Sequence, residues 1–303
     1  MTTGVLLMSY GSPESPADVE RYYTDVRRGR PPTPEQLADL RRRYDAIGGL
    51  SPLARRTRDQ AAGVQRALDE AAPGAFRVFC GTKHSRPSIE EGVRAVARAG
   101  LPGLVALVLA PHYSPLSVGE YLDRARAEGA RAGVDLRAVE SWHLEPGLVA
   151  ALATRLRVTL DEVGTPPDRT EVLVTAHSLP ARILGTGDPY PDQLRQTGEA
   201  LTGAAGVDRW RVAWQSAGRT PEPWLGPDVL EAISEAASAG AAGVVVCPAG
   251  FTSDHLEVLY DLDIEARRAA EGLGLRFART ASLNDDPELC RTLAGVIMRA
   301  AAP

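Results

Sequence analysis

The sequence predicts an α/β fold of two similar lobes, each a small parallel sheet covered by helices on both faces, with a cleft between the lobes. Three observations predict it. Short, wholly apolar runs of strand length alternate with longer amphipathic stretches. The amphipathic stretches open and close on helix punctuation. The apolar runs also recur in the same order in the two halves of the chain.

The first run is "GVLLMSY", ending at Tyr10. Ser15, Pro16 and Asp18 then supply a cap, a first-turn proline and an acidic first turn, and Gly29 closes that helix after Arg27 and Arg28. Thr33, Pro34 and Gln36 repeat the start signal, and Gly48–Gly49 stop the second helix. "FRVFCG" and "LVALVLAPH" read as the next strands. A helix followed by "GTPPD", between residues 145 and 170, connects the halves. "EVLVTAH", "WRVAWQS" and "GVVVCPAG" supply the strands of the second half.

"LLMSYGSP" (6–13) aligns with "LVTAHSLP" (173–180), "RVFCGTKH" (77–84) with "RVAWQSAG" (211–218), and "LVLAPHYS" (107–114) with "VVVCPAGF" (244–251). Tyr10 and His177 thereby take equivalent places past the carboxyl end of the first strand in each lobe, where open α/β sheets bind ligands.

Composition removes several function classes. A chain of 303 residues with 44% hydrophobic content buries a substantial core. Its net charge of −5 argues against a phosphate-dominated binder, so no nucleic-acid partner is expected. Cys80, Cys247 and Cys290 lie far apart with no CxxC pair, so neither a zinc knuckle nor an iron–sulfur cluster is suggested. The N-terminal "MTTGVLLMSYGSP" lacks a basic flank, and no stretch reaches the roughly 20 apolar residues that span a bilayer. A cytoplasmic protein is expected. GxGxxG, Walker and GxSxG patterns are missing from the sequence, which weakens nucleotide and serine-hydrolase readings.

Two stretches carry chemistry. His177 closes a β-branched run, either as a satisfied polar residue or as a proton-handling group at a pocket mouth. In "AGFTSDHLEVLYDLDIEA" (249–266), Asp254 is placed to cap a helix, and Glu257, Asp261 and Glu265 follow at i, i+4 and i+8, drifting about 40° per step. Like charges at that spacing cost a helix about 0.2–0.5 kcal/mol each, so the row needs solvent, cations or shared protons. A solvated face and a metal- or proton-handling face both satisfy this. Arg27, Arg28, Arg30, Arg41, Arg42 and Arg43 gather between positions 27 and 43, either as solvated helix ends or as forks for an acidic small molecule. Lys83, His84, His112, Trp214 and Trp224 are weaker candidates.

The segments "YGSPES", "ERYYTDVRRGRPP", "RRRYDAIGGLSPLA", "LAPHYS", "AHSLP", "GDPYPDQL", "WQSAGRTPEPWLGPDV" and "GFTSDHLEVLYDLDIEA" together resemble the ferrochelatase family nearly end to end. The resemblance is nearest to the monomeric enzymes of Gram-positive bacteria that insert Fe²⁺ into coproporphyrin III on the way to haem. Tyr10 in "MSYGSP" supports that branch over relatives that use protoporphyrin.

The resemblance implies one unit over 1–303: lobe one at about 1–145 plus a C-terminal helix 286–301, and lobe two at about 165–285, each Rossmann-like in the chelatase manner. It makes His177 and Glu257 the catalytic pair at the metal and Asp261 and Glu265 an outward proton or metal path. It assigns Tyr10, Arg27, Arg28, Arg43, Ser51 and Tyr121 to the porphyrin. Fe²⁺ is then a substrate, with no permanently bound cofactor and no iron–sulfur cluster, since "VIMRAAAP" carries no cysteine group. Implied partners are the porphyrin, Fe²⁺ and, transiently, haem-pathway enzymes, with the protein a monomer. The alternatives are a protoporphyrin IX ferrochelatase, or a non-catalytic tetrapyrrole carrier that needs no His177–Glu257 pair. A cobalt or nickel chelatase for sirohydrochlorin fits five scattered histidines poorly.

Overall fold

The computed structural model describes residues 2–218 and 220–302, so Arg219 within "WQSAGRTPEPWLGPDV" lies outside the described residues. Lobe one carries strands β1 (Thr3–Ser9), β2 (Phe76–Thr82), β3 (Gly103–Val108) and β4 (Asp135–Val139), all parallel, in the spatial order β2-β1-β3-β4. Lobe two carries β5 (Thr170–His177), β6 (Trp210–Gln215), β7 (Gly243–Cys247) and β8 (Arg276–Arg279), again parallel and in the equivalent order β6-β5-β7-β8. The three segment pairs aligned by sequence thus fall on equivalent strands. In this order the chain leaves β1 and β5 toward one side and β3 and β7 toward the other, so each lobe has its switch point beside the end of its first strand.

The helices of lobe one are α1 (Val19–Val26), α2 (Pro34–Ala46), α3 (Leu53–Ala71), α4 (Ile89–Arg98) and α5 (Glu120–Ala132). Thr33 and Gln36 close the expected capping box on α2. Ser15 instead heads a short 3₁₀ turn (Pro16–Asp18), and its hydroxyl donates to the Asp18 carboxylate rather than accepting from the backbone. The connecting helix is α6 (Pro146–Val163). Lobe two continues with α7 (Tyr190–Ala205), α8 (Val229–Ser238), α9 (Leu256–Leu259), a wider π turn (Asp261–Ala266) and α10 (Arg267–Gly272), and the chain returns to lobe one through α11 (Pro287–Ala301). Among the described residues no helix is long and apolar enough to cross a membrane.

One apolar body underlies both sheets. It joins Val5 and Leu7 of β1 to Val172 and Val174 of β5 through Leu148, Leu152 and Leu156 of α6 and Leu289, Leu293 and Ile297 of α11. Arg155 reaches from α6 to Asp286 at the head of α11 at 2.7 Å, fastening the two connecting helices.

Leu156 is fully buried in this shared body. Leu156→Ala is expected to cost about 2–5 kcal/mol of unfolding free energy, and both lobes should melt together. Urea unfolding followed by circular dichroism checks this; two separated transitions would show that the lobes hold independent cores.

Candidate active site

The lobes meet at the carboxyl ends of their strands. Tyr113 N donates to Gln193 at 2.7 Å and Ser114 Oγ to Asp188 at 2.6 Å, joining the loop after β3 to the start of α7. Gln60 of α3 donates to the Asn284 carbonyl at 2.9 Å, and Thr252 Oγ1 to the Leu109 carbonyl at 3.0 Å. These polar contacts line the back of the cleft.

His177 is the last residue of β5 and is held at several atoms. Its Nδ1 donates to the Ser178 carbonyl, which leaves Nε2 facing the cleft. Tyr190 OH donates to the His177 carbonyl at 3.0 Å, and Ser178 Oγ donates to the Leu225 carbonyl at 2.9 Å. Gly250, after β7, packs so closely on β5 that a Cβ there would lie 2.4 Å from the Ala176 Cβ. Only glycine lets that loop press onto the strand end beside His177.

Glu257 approaches from α9. Its Oε1 lies 3.6 Å from His177 Nε2, and its Oε2 lies 3.6 Å from His255 Nε2. Two donors bound at about 2.1 Å to one first-row ion in tetrahedral geometry sit about 3.4 Å apart, so the His177–Glu257 spacing suits a shared metal. About a third of each side chain is open to the cleft (35% for His177, 34% for Glu257), although dense protein surrounds both. Among the described residues no three His, Cys, Asp or Glu side chains form a metal-holding group.

Burial works against charge on His177, but the neighbouring Glu257 carboxylate, assisted by the Ser178 carbonyl, outweighs it and raises the imidazole above its ordinary value. Burial likewise opposes charge on Glu257, yet His177 and His255 hold that carboxyl well below the usual carboxylate range. Each group thus favours the charged form of the other.

Asp261 opens the π turn. Its Oδ2 accepts from Ser216 Oγ, and its Oδ1 lies 3.4 Å from Arg43 Nη1 of lobe one. Glu265 N bonds back five residues to the Tyr260 carbonyl at 3.0 Å. Each residue in such a turn rotates through less than the α-helical angle, so residues four apart come nearer to eclipsed and the 40° drift expected for a regular helix is reduced. Burial and the charge on Glu257 push Asp261 up to about 6, against the Ser216 bond and Arg43, while Glu265 adds to the push.

On the lobe-one side, Tyr10 follows β1 with 40% of its surface open, its ring meeting His84 edge-on at 4.6 Å. Burial, then the charge on Glu257, raises its phenol, and burial raises Tyr121, which also feels Tyr10 and Glu257. The charge on Glu257 of lobe two is thus felt at two phenols of lobe one. Tyr121 is buried, with Lys83 5.2 Å above its ring. Ser51 is buried and accepts from Leu53 N at 3.3 Å at the head of α3.

The arginines divide. Arg28 is open to solvent, 3.9 Å from Glu120, while Arg27 stacks near Tyr23 at 5.7 Å. Arg43 is taken up by Asp39, Asp261 and the Tyr260 ring at 4.7 Å, so it bridges the lobes. It does not stand open as a fork.

Asp254 is not the cap that its sequence position suggests. The cap position falls on extended His255, and Asp254 instead accepts from Asn284 Nδ2 at 2.9 Å and pairs with Arg279 at 3.5 Å. His255 itself is a site residue that pattern reading missed. Extended backbone at His255 gives way to helix at Leu256, so the approach of its ring to Glu257 follows neither a helical nor a strand period that the sequence would display. His112 is fully buried against Thr197 at 2.9 Å, a structural role. Trp214 packs in the core.

Asp261 makes stability depend on pH with a definite sign. Its carboxyl binds a proton more tightly folded (about 6) than at the ordinary 3.8, so stability falls as pH rises between those values and the cost persists above them. Asp261→Asn is expected to gain about 1–3 kcal/mol at about pH 7.5 and to lose that gain at about pH 4. Urea unfolding at both pH values checks it; an equal difference at both would show that the carboxyl is not raised.

A coproporphyrin III ferrochelatase of Anoxybacillus flavithermus (strain DSM 21510 / WK1) is 44% identical over 299 residues, covering 97% of this chain and 95% of the relative. The coproporphyrin III ferrochelatase of Bacillus subtilis (strain 168) is 42% identical over 302 residues, covering 98% and 97%. Among solved structures, SirB from Bacillus subtilis with Fe³⁺ superposes with a TM-score of 0.62 at 13% identity, covering 100% of this chain and 96% of that one. At that identity the likeness concerns the fold. The profile described as Ferrochelatase matches residues 2–301, and the chain belongs to the ferrochelatase family.

Proposed function

We propose that this protein inserts ferrous iron into coproporphyrin III, acting as a lyase of haem biosynthesis. The observation that carries the reading is the His177–Glu257 pair, held 3.6 Å apart at the strand ends of lobe two and facing Tyr10 of lobe one. Family membership and the names of the relatives support the reaction and the porphyrin.

Metallation replaces two pyrrole N–H protons by one Fe²⁺, so the site must take protons as it delivers metal. With Nδ1 donating to the Ser178 carbonyl and Nε2 unprotonated, His177 accepts a pyrrole proton at Nε2, and the neighbouring carboxylate favours the imidazolium that results. Glu257 stays ionised and guides the cation out of its water shell. Asp261, which titrates at about 6, and Glu265 beyond it pass protons or metal between cleft and solvent. The tetrapyrrole lies between this pair and Tyr10, its acid groups met by Arg27, Arg28, Ser51 and the Tyr121 region. Arg43 joins them once its link to Asp261 opens. Bending the macrocycle exposes nitrogen lone pairs that a flat ring shields.

The reading takes Fe²⁺ as substrate and includes no iron–sulfur cluster: Cys80, Cys247 and Cys290 stand in β2, β7 and α11, three separate elements. We place the protein in the cytoplasm as a monomer that meets other haem-pathway enzymes transiently.

His177→Ala is expected to lower anaerobic Fe²⁺ insertion by about 10²–10⁴-fold, with coproporphyrin III still bound as read by fluorescence quenching. Retained turnover overturns the mechanism, and faster turnover of protoporphyrin IX than coproporphyrin III by the parent overturns the substrate. Arg28→Ala should raise KM for coproporphyrin III about two- to fivefold with kcat held, the size of one exposed charge contact. An unchanged KM removes Arg28 from the carboxylate contacts.

A further inference from the structure

The spacing of the two reacting groups has to be fixed by something, because they come from different elements. His177 ends β5 and Glu257 follows a loop after β7, so sheet pairing alone does not set their separation. Gln215 touches the supports of both. It is the last residue of β6, pairs with His177 across the parallel ladder, and is fully buried.

Three polar groups of Gln215 have separate tasks. Its main-chain carbonyl accepts from Ser178 N at 2.8 Å, fixing the residue whose carbonyl orients the His177 ring. Its side-chain Oε1 accepts from Thr175 Oγ1 at 2.8 Å, and Thr175 is itself fully buried. Its Nε2 donates to the Glu257 carbonyl at 3.2 Å, close to where the helix widens from four-residue to five-residue bonds. The Thr175 bond orients the amide, so Nε2 must point toward Glu257 and not away from it. The next residue, Ser216, takes a left-handed conformation (φ 59) and turns to bond Asp261. One short segment thus reaches His177, Glu257 and Asp261 together.

We propose that Gln215 is a positioning residue that sets the distance and angle between the His177 imidazole and the Glu257 carboxylate. The proposal rests on those two residues being the catalytic pair. It assigns Gln215 no contact with porphyrin or iron: it acts through the backbone that carries each partner. A buried amide is suited to this task because it carries no charge to disturb the pair and its two ends answer different partners.

The test is the double variant Thr175→Val with Gln215→Met. It removes both partners of the buried bond, so neither is left stranded and the fold is retained, while the Glu257 carbonyl loses its donor. The expected result is a fall in kcat of about ten- to a hundredfold, coproporphyrin III affinity within about twofold of the parent, and a shift of the acidic limb of the pH–rate profile as the imidazole moves from its carboxylate. Circular dichroism and the unfolding midpoint confirm folding. A second variant, Gln215→Glu, keeps the side-chain length and the Thr175 acceptor but loses the amide donor, and should show the same split between kcat and affinity.

His177→Ala separates the two ideas. If it retains turnover, the catalytic assignment fails and this proposal fails with it. If it is inactive while both Gln215 variants keep the parent's kcat and pH profile, the catalytic pair stands and the role of Gln215 is overturned.

Discussion

One attraction organises the molecule: an imidazole beside a carboxylate, each placed where burial alone would disfavour its charged form. His177 and Glu257 each favour the charged form of the other, with His255 adding a second imidazole beside the acid. Taking a single charge into such surroundings is costly, and removing one partner leaves the other uncompensated. The main chain is accordingly held on both sides, by Tyr190 and Ser178 around the imidazole and by the tight seat of Gly250 on β5. Packing close enough to keep the pair in register, yet open enough for a third of each side chain to meet the cleft, is the compromise the lobe-two loops embody.

The acidic row extends from that pair. A regular helix would swing Asp261 and Glu265 progressively off the Glu257 face, and the π turn counters the swing. Its electrostatic result is a gradient. Glu257 is held low and Asp261 is pushed up to about 6, so neighbouring acids of one row differ in proton affinity. Arg43 crosses from the opposite lobe to moderate the second acid, which makes the row a joint product of both lobes.

Much of this was legible in the sequence, and the limits have physical reasons. Strands fully covered by helices must be apolar throughout, so "VLLM", "VLVTA" and "GVVVC" declared themselves, as did the repeated order of the two sheets. His177 stood out because it ends such a run, and the acidic residues because their spacing is helical. Distance between remote segments leaves no such mark. Nothing local tells Arg43 that it will meet Asp261, or shows the Glu257 carbonyl reaching Gln215. Asp254 misled because a capping pattern and a loop anchor use the same residue type, and only the arrival of Asn284 and Arg279 decides between them. His255 was overlooked because the helix was started one residue early, at Asp254, which left the extended residue that actually heads it unread.

The shared apolar body beneath the two sheets bears on how a guest is accommodated. Because Leu148, Leu152 and Leu156 pack in one body with strands of both sheets, swinging the walls of the gap apart would expose apolar surface to water. Whatever enters must conform to a rigid jaw, with only side chains such as Tyr10 and Arg28 free to adjust. A stiff disc pressed into an unyielding slot is the component that gives way, so the mechanical work of saddling the macrocycle falls on the guest instead of the host.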